Sequence, residues 1–356
     1  MAIPLFNNIK TVRMNEVLPP ESKVLVVGAG PVGLMAACQL TLHGVPVIII
    51  DKKTKISAYS GALFIQARTL EIFEQMGLAD VMMERGQIPA WIHVLKNGRH
   101  IFKANIKEMG RGLSKFPHVL MVKQGETEKT LINFLKNRGV NVHWNMELKS
   151  IRDDGDKVRA TINSNGRERT VHTTYLIGAD GANSQVREIL DIPVEVRSHP
   201  TPLFIIDGGA SFSYRKRKKQ VPFSRDTLYF SICRDQMTGF FPLPGNKWRI
   251  DGIIPPGIEK KDDFNFNLVK KEFNRGSCLA GGVDSSDWFS SFRIQTKLAS
   301  SYKEGPCFLA GDAAHVHTPI GAQGMNTGIQ DTYNLCWKIA LVLQEKISAK
   351  ALTSYE

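Results

Sequence analysis

Three closely spaced glycines near the start of the chain, Gly28, Gly30 and Gly33, have the spacing of a phosphate-binding turn. In this pattern the first glycine permits a tight turn, the second lets the backbone approach a pyrophosphate, and the third lets a helix pack on a strand. The N–H groups at the start of that helix then point toward the phosphates. Asp51 follows at about the 20-residue spacing at which an acidic side chain meets a ribose. The motif therefore predicts a dinucleotide site.

The elements around these residues are those that the motif requires. An apolar run, Lys23 to Val27, precedes the glycines and predicts a strand. A helical stretch from Leu34 to His43 follows, and the run from Pro46 to Ile50 predicts a second strand that ends at Asp51. Continuously apolar strands are typical of buried parallel strands. The alternative is a glycine turn of an unrelated α/β protein. The strand, the helix and the acidic residue, however, all lie where the dinucleotide motif requires them.

Two further motifs follow predicted buried strands. Gly178-Ala179-Asp180-Gly181 comes after Tyr175–Ile177, and Gly311-Asp312 comes after Cys307–Ala310. On its own, an Asp-Gly pair is typical of an ordinary turn. A long helix is predicted from about Gly324 to Glu345, and the positive end of its dipole would point back toward Gly311-Asp312. That end suits a ligand that becomes anionic, such as the N1–C2=O edge of a reduced flavin.

Between these motifs the pattern changes. From about residue 200 to 301, aromatic residues alternate with polar ones and are interrupted by Gly and Pro, which predicts a mostly β domain. We therefore predict that residues 1–195 and 302–356 share one α/β core, with residues 196–301 inserted as a β-rich substrate domain. Tyr214, Tyr229 and Phe240-Phe241-Pro242 are candidates to line a substrate pocket, although aromatic strand residues more often belong to the core.

Composition excludes several classes of protein. The 356 residues are 42% hydrophobic and 22% charged, which excludes intrinsic disorder and a small disulfide scaffold. The net charge of +12 is concentrated in part at Arg215–Lys219. Such a charge surplus can indicate an anionic partner, but no DNA-binding or RNA-binding motif accompanies it, so we predict a solvated loop and no nucleic acid.

The cysteines and the hydropathy indicate a cytoplasmic protein. Five cysteines are scattered, and their odd number favours free thiols in a reducing compartment. No apolar run approaches the roughly 20 residues of a membrane helix, so no membrane association is expected. His315 and His317 are two residues apart and do not have metal-ligand spacing, so we predict no metal site.

The three ordered motifs together resemble the FAD-dependent aromatic-ring hydroxylases, which are single-component flavoprotein monooxygenases related to para-hydroxybenzoate hydroxylase and phenol hydroxylase. The resemblance covers nearly the whole chain. It implies an α/β fold, in which a Rossmann-like FAD-binding domain of three layers and the glutathione-reductase type carries an inserted, mostly β substrate domain. It also implies that FAD is bound tightly and that NADPH or NADH binds transiently. The chain shows no second glycine motif for a separate nicotinamide domain.

The resemblance assigns roles to several residues. Asp312 would bind the FAD ribose, Asp180-Gly181 with Ser184 and Arg187 would contact FAD and take part in nicotinamide use, and Pro319 would lie beside the isoalloxazine. The complete set of implied FAD contacts comprises the motif residues and several positions between them: Gly28, Ala29, Gly30, Pro31, Val32, Gly33, Asp51, Lys52, Arg68, Gln124, Leu148, Asp180, Gly181, Gly311, Asp312, Pro319, Gly321, Gly324, Met325 and Asn326.

The implied activity is the hydroxylation of an aromatic, phenol-like or polyketide-like small molecule. In this family NADPH or NADH reduces FAD, the reduced flavin captures O₂, and a C4a-hydroperoxyflavin delivers a hydroxyl group to the ring. The protein would supply a dry pocket. No catalytic side chain can be identified from the sequence, and neither can the particular substrate or the oligomeric state.

Three alternatives remain open at this point. A flavin-dependent halogenase is one, although the tryptophan pair with a following Ile-Pro that marks many halogenases is absent, and a double-bond reductase is another. The third is a non-catalytic binding protein on the same fold, like the GDP-dissociation inhibitors, against which the intact glycine motifs speak. Two departures from the family stand out: Ser57–Gly61 lacks the basic residue of many relatives, and the chain ends at Glu356 where relatives continue through further helices. The ending suggests a truncated or short family member.

Overall fold

The computed structural model of the chain describes residues 18–56, 61–234, 236–254, 265–318 and 321–355. Strands predominate, and most of them belong to two large sheets. In chain order the strands are β1 (Glu21–Val27), β2 (Val47–Asp51), β3 (Phe64–Ile65), β4 (Trp91–Lys96), β5 (Arg99–Asn105), β6 (Leu120–Met121), β7 (Val142–Trp144), β8 (Glu147–Asp153), β9 (Val158–Ser164), β10 (Arg167–Gly178), β11 (Val194–Lys216), β12 (Lys219–Pro222), β13 (Thr227–Cys233), β14 (Gln236–Leu243), β15 (Lys247–Ile253), β16 (Ala280–Val283), β17 (Trp288–Ala299), β18 (Lys303–Glu304), β19 (Cys307–Leu309) and β20 (His315–Val316).

Helices pack mainly against the first sheet. The α-helices are α1 (Pro31–Leu42), α2 (Ala67–Gln75), α3 (Ala79–Arg85), α4 (Gln124–Lys136), α5 (Gln185–Ile189), α6 (Phe266–Gly276) and α7 (Gly324–Leu343), and two 3₁₀ helices span Gly311–Ala313 and Ala349–Tyr355. The apolar faces of α1, α4 and α7 share one buried cluster with one face of β1, β2 and β19. No helix in the described ranges is long and apolar enough to cross a membrane.

The first sheet has the strand order β18-β19-β10-β1-β2-β7. Its central strands β19, β10, β1, β2 and β7 are parallel, which confirms the predicted β-α-β unit around the glycine motif. The other face of this sheet packs against an antiparallel meander of β8, β9 and the first half of β10, through residues such as Leu148, Ala160 and Val171. Helices, sheet and meander form the three layers expected of the α/β fold.

The second sheet has the order β15-β14-β13-β4-β5-β11-β17-β20, with a further pairing of β15 with β11. One face carries an aromatic cluster that α6 covers through Val269 and Phe273. Tyr214, Tyr229 and Phe240 belong to this cluster and are buried away from the first sheet, so these three pocket candidates are core residues. The opposite face carries Phe241, which packs with residues of β3 and β6.

One segment of the chain pairs with a different sheet from the one that the sequence predicted. Strands β4 and β5 lie within residues 1–195 but pair with β13 and β11 of the second sheet. The segment between α3 and β6 therefore contributes strands to the β-rich layer. The division into residues 1–195, 196–301 and 302–356 stays a prediction about folding units.

The prediction that all five cysteines are free is wrong for one pair. Cys233, at the end of β13, and Cys278, after α6, form a disulfide with a Cα–Cα distance of 6.0 Å. The two are 45 residues apart, and only the packing of α6 on the second sheet brings them together, so their spacing along the chain gave no indication of the bond. Cys38, Cys307 and Cys336 are buried free thiols.

The cationic run Arg215–Lys219 forms the turn of a hairpin between β11 and β12. Arg217 adopts a left-handed backbone conformation with φ of 58°, and the side chains from Arg215 to Lys219 are exposed. The geometry is that of a solvated hairpin tip, as the sequence analysis expected.

Candidate dinucleotide-binding site

The turn between β1 and α1 is closed by two glycines that admit no side chain. Gly28 has φ of +106°, and its N–H donates to the Ile50 carbonyl across 2.8 Å. A Cβ atom on Gly28 would lie 2.3 Å from the Ala179 carbonyl oxygen, and one on Gly33 would lie 1.8 Å from the Gly28 carbonyl oxygen. These two glycines are therefore required by the close packing of the backbone itself.

Gly30 differs from its two neighbours because the space in front of it is empty. It caps α1 with ordinary extended dihedrals, φ −76° and ψ −179°, and apart from Gly30 and its two chain neighbours no described residue has an atom within 4 Å of the position of its Cβ. Pro31 occupies the first turn, and no side chain caps the helix. Helix-start N–H groups facing an open space, next to a backbone without a side chain, form a cradle that fits a pyrophosphate.

Asp51 ends β2 and holds the glycine turn in place. Its Oδ2 accepts the Ala29 N–H across 2.7 Å, and its Oδ1 accepts the Lys53 N–H across 2.8 Å. The residue is buried, whereas Lys52 beside it is exposed. Each carboxylate oxygen can accept more than one hydrogen bond, so the anchored carboxylate retains capacity for a ribose hydroxyl.

The Asp180-Gly181 motif builds a helix start. Asp180 accepts hydrogen bonds from the Ser184 hydroxyl across 2.5 Å and from the Gln185 N–H across 2.7 Å. Arg187 is buried, and its Nη1 donates to the Ala313 carbonyl across 2.8 Å. These polar groups cap α5 and connect this motif to the Gly311-Asp312 motif, which explains in structural terms why Ser184 and Arg187 accompany Asp180.

Two glycines pack against Val32 in the first turn of α1. Gly311 has a left-handed φ of +60°, and a Cβ on it would lie 2.8 Å from Cγ2 of Val32. A Cβ on Gly328 of α7 would lie 2.5 Å from the same methyl carbon. The starts of α1 and α7 and the 3₁₀ turn after β19 are therefore packed without intervening side chains, which brings the first and third motifs into one site.

Asp312 stands between these helix starts. Its side chain is exposed although it is surrounded by protein, as expected of a carboxylate on the wall of an open cleft. Partial desolvation raises the pKa of Asp312, against the attraction of His315 and His317. The Cβ position of Gly324 lies 4.0 Å from Oδ1 of Asp312, which places the carboxylate beside the beginning of α7. Gln323 provides no side-chain cap there, so the positive end of α7 remains available to an anionic group.

His315 and Asp331 support the Gly311-Asp312 turn, and sequence reasoning did not identify this pair. Oδ2 of Asp331 lies 2.7 Å from Nε2 of His315 and accepts the Gly311 N–H across 2.9 Å. Burial disfavours the charged imidazole, but the hydrogen bond and the charge of Asp331 outweigh it, so the pKa of His315 lies above its usual value. Asp331 is 16 residues from His315 and 20 from Gly311, and the chain between them is only partly helical, so their spacing along the chain gave no signal.

Asn326 is a predicted FAD contact whose side chain is already fully used. Its Oδ1 accepts the Gln66 N–H and the Thr69 hydroxyl across 3.0 and 2.8 Å, and its Nδ2 donates to the carbonyls of Phe64 and Ala322, each across 2.9 Å. The residue is completely buried. Asn326 therefore attaches the start of α7 to the loop of residues 61–66, and only its backbone N–H at the helix start could meet a cofactor.

The remaining predicted contacts lie around the same cleft or support it. Gln124 Oε1 accepts the Ala62 N–H across 3.0 Å, whereas Arg68 is partly exposed, pairs with Glu71 across 2.9 Å and stacks over the Tyr333 ring. The Leu148 side chain lies in the core beneath the meander and could offer only its backbone. Gly321 adopts a left-handed φ of +85° in the turn before α7. Pro319 lies outside the described residues.

The second sheet carries charged residues that sequence reasoning missed. Arg249 is almost completely buried, and its Nε and Nη2 donate to Oδ1 and Oδ2 of Asp207 across 2.7 and 2.9 Å. Its Nη1 donates to the Gly61 carbonyl across 2.8 Å, and Asp251 lies two residues further along β15. The alternation of charged and apolar residues from Lys247 to Asp251 was the available signal.

The described residues contain no group of three or more His, Cys, Asp or Glu side chains that could hold a metal ion. The rings of His315 and His317 lie 4.8 Å apart between centroids, but His315 is hydrogen-bonded to Asp331. The chemistry of this cleft is that of a phosphate cradle, two carboxylates and a helix dipole.

Comparison with known proteins agrees with this geometry. Residues 21–356 match the family model described as an FAD binding domain. The chain is 35% identical over 343 residues to 6-methylpretetramide 4-monooxygenase of Streptomyces rimosus, covering 95% of the chain and 59% of that protein. It is 29% identical over 351 residues to pentachlorophenol 4-monooxygenase of Sphingobium chlorophenolicum, covering 94% of the chain and 61% of that protein. The chain thus spans about three fifths of the length of these relatives.

A similar fold is found among solved structures. The crystal structure of p-nitrophenol 4-monooxygenase PnpA from Pseudomonas putida DLL-E4 superposes with a TM-score of 0.80 at 21% identity, covering 95% of this chain and 84% of that one. At this level of identity the match establishes the arrangement of helices and sheets.

Proposed function

The chain belongs to the family of FAD-dependent aromatic hydroxylases that share this FAD binding domain, and from that premise we propose that it is a flavoprotein monooxygenase acting on an aromatic small molecule. The observation that carries the proposal is the convergence of the α1 and α7 starts on Val32, with open space at Gly30 and the Asp312 carboxylate beside them. Such a cleft fits FAD, and the relatives named above are monooxygenases of aromatic compounds.

The residues of this chain would share the work of holding FAD. The start of α1 at Gly30 would hold the pyrophosphate, Asp51 the ribose, and Asp312 a sugar hydroxyl on the far side of the phosphates. The uncapped start of α7 would favour negative charge at the flavin ring. When bound, FAD would supply the redox chemistry that connects a nicotinamide cofactor with O₂.

The substrate would bind between the two sheets. Phe241 of β14 meets Phe64 of β3 edge-to-face with ring centroids 5.2 Å apart, and Leu63, Leu228 and Leu243 join them in a buried cluster. This apolar surface borders the loop of residues 61–66 that is hydrogen-bonded to the start of α7. An apolar wall next to the flavin end of the cleft suits an aromatic ring and excludes water from the reaction.

We further infer transient binding of NADPH or NADH, a cytoplasmic location and no role in nucleic-acid binding. The net charge of +12 supports docking of a phosphorylated cofactor without a separate domain. The solvated hairpin tip at Arg215–Lys219 accounts for the cationic run without a nucleic-acid partner.

The function is tested by spectroscopy followed by turnover. Purified protein should be yellow or become yellow with added FAD, and NADPH or NADH oxidation should accelerate with at least one member of a panel of phenols and polycyclic aromatic polyketides. Detection of a product heavier by one oxygen atom completes the test. A colourless protein that ignores FAD would point to a non-catalytic binding protein. A flavoprotein that no aromatic compound accelerates would point to another FAD-dependent oxidoreductase, such as a halogenase or a double-bond reductase.

Asp312→Ala should weaken FAD binding by about 10- to 100-fold, because a hydrogen bond between a charged group and a sugar hydroxyl contributes about 1.5–3 kcal/mol. Titration of apoprotein with FAD, followed by quenching of flavin fluorescence, measures the change. Asp287→Ala is the matched control, since Asp287 is a half-exposed carboxylate that pairs with Lys247 of the second sheet. Equal FAD affinity in the two variants would remove Asp312 from the site.

A further inference from the structure

Asp251 lies in the second sheet and is not among the residues that we assign to the FAD-binding cleft. It lies on β15 on the same face as Arg249, opposite Gly239 of β14 and Ile205 of β11. On this face Arg249 donates to the Gly61 carbonyl, and Phe241, which is opposite Arg249, packs on Phe64. Asp251 therefore belongs to the face of the sheet that borders the loop of residues 61–66.

The loop of residues 61–66 connects the sheet face that carries Asp251 with the start of α7, at the flavin end of the proposed cleft. The Phe64 carbonyl and the Gln66 N–H are both hydrogen-bonded to Asn326 at the start of α7. The Gln66 side chain also donates to the Gly321 carbonyl across 3.4 Å. Arg249 contacts one end of the loop and α7 contacts the other, so the loop links the sheet face that carries Asp251 to the start of α7.

One oxygen of the Asp251 carboxyl group has no hydrogen-bond partner among the residues that the structure describes. This oxygen is Oδ1, and it is buried. Its nearest cation, Arg249, directs two of its donors to Asp207. Burial raises the pKa of Asp251 to about 7, with Arg249 opposing the shift and Asp207 adding to it. A buried acceptor without a hydrogen-bond donor lowers the stability of the fold. A ligand that donates this hydrogen bond is the simplest reason for a carboxyl group at this position.

The neighbours of Asp251 suit an aromatic ligand. Gly239, directly opposite, has no side chain, and the Phe241 ring covers it, because a Cβ on Gly239 would lie 2.6 Å from Cζ of Phe241. The carboxyl group thus has an aromatic ring on one side and the aliphatic Ile205 on the other. A flat ring with one hydroxyl group would pack between these apolar neighbours and donate its hydrogen bond to the carboxylate.

We propose that Asp251 binds the ring hydroxyl of a phenolic substrate and accepts its proton during hydroxylation, an assignment that rests on the proposed function. In this step the phenolic O–H bond breaks, a carboxyl O–H bond forms, and the ring oxygen keeps the electron pair. The added electron density at the ortho and para carbons makes the ring a better nucleophile toward an electrophilic oxygen. Asp251 is then a catalytic base, and Arg249 and Asp207 are positioning residues.

The pH dependence has a definite sign. The base must be deprotonated, so kcat/KM should rise as pH increases through about 7 and level off above it. The charged groups that face Asp251 are Arg249 on its own strand and Asp207 on β11, whereas β14 presents Gly239 and Phe241 there. We therefore assign the rising limb to Asp251.

The test compares Asp251→Asn with wild type, using 4-methylphenol and 4-nitrophenol as probes. For 4-methylphenol, kcat/KM should fall by about 100- to 10,000-fold, the range for loss of a general base, and the pH limb near 7 should vanish. The fall should be much smaller for 4-nitrophenol, whose acidic hydroxyl ionises without help. Equilibrium binding of 4-methylphenol, measured by calorimetry, should weaken about ten-fold or more, while flavin content stays at the wild-type level.

Asp287→Asn provides the matched control, because it neutralises a partly exposed carboxylate of the same sheet region. Its kinetics, pH profile and phenol affinity should equal those of wild type. If Asp251→Asn keeps the wild-type pH limb and binds both phenols normally, the inference is wrong although the monooxygenase assignment stands. If wild type neither binds nor oxidises any phenol, the proposed function is contradicted and the role of Asp251 with it.

Discussion

Gly30→Val should abolish FAD binding and leave the fold intact. The backbone of Gly30 has φ −76° and ψ −179°, which any residue adopts, and no described residue other than its chain neighbours comes within 4 Å of its Cβ position. A valine at the helix cap should lower stability by no more than about 1 kcal/mol. Its side chain would, however, fill the space in which the pyrophosphate meets the start of α1. Loss of two or more hydrogen bonds to a charged group, at about 1.5–3 kcal/mol each, weakens binding by more than 100-fold.

Gly33→Val is the informative comparison, because the fold has room for a side chain at position 30 but none at position 33. A Cβ on Gly33 would lie 1.8 Å from the Gly28 carbonyl oxygen, so this variant should fail to fold or should melt at a much lower temperature. We expect Gly30→Val to show wild-type circular dichroism and a near-normal melting temperature, yet to purify without flavin. Copurification of flavin with Gly30→Val would show that the turn does not hold the pyrophosphate.

Asp207→Ala should lower the free energy of unfolding by about 3–5 kcal/mol, the range for removing one partner of a buried ion pair. The side chains of Arg249 and Asp207 are only 2% and 5% exposed, and two hydrogen bonds of 2.7 and 2.9 Å join them. Without Asp207 the guanidinium group keeps its charge in a site that water does not reach. It also loses the orientation that directs Nη1 to the Gly61 carbonyl, so the loop of residues 61–66 should loosen.

Urea unfolding followed by tryptophan fluorescence measures this loss, and the Lys247–Asp287 ion pair provides the control. That pair joins the same part of the sheet across 2.6 Å, but its side chains are 41% and 46% exposed, so Asp287→Ala should cost about 0–1 kcal/mol. Replacing Asp207 and Arg249 together with apolar residues of similar size should recover much of the stability. A loss of less than 1 kcal/mol in Asp207→Ala would show that the pair contributes no more than a surface pair.

The local parts of the cleft that we propose for FAD were predictable from the sequence. Gly28, Gly33 and Asp51 lie within one β-α-β unit, where backbone clearance and the hydrogen bond from Ala29 to Asp51 depend on residues close in the chain. Strand-helix-strand periodicity and glycine spacing report such short-range requirements directly. The same reasoning recovered the parallel order of β1 and β2 and the start of α7 at Gly324.

The remaining features arise from packing between distant segments, which periodicity along the chain does not encode. The disulfide between Cys233 and Cys278, the junction of Asn326 with residues 64–69, and the ion pair of Arg249 with Asp207 join positions that only the tertiary structure makes neighbours. The sequence also did not determine which face of the second sheet a strand residue occupies. Phe240 and Phe241 are adjacent in sequence, yet they lie on opposite faces of this sheet. The sequence by itself determined the glycine turn proposed to bind the cofactor, because the geometry of this turn is local. The tertiary structure alone decided on which face of the second sheet each side chain lies, because that depends on how two sheets pack.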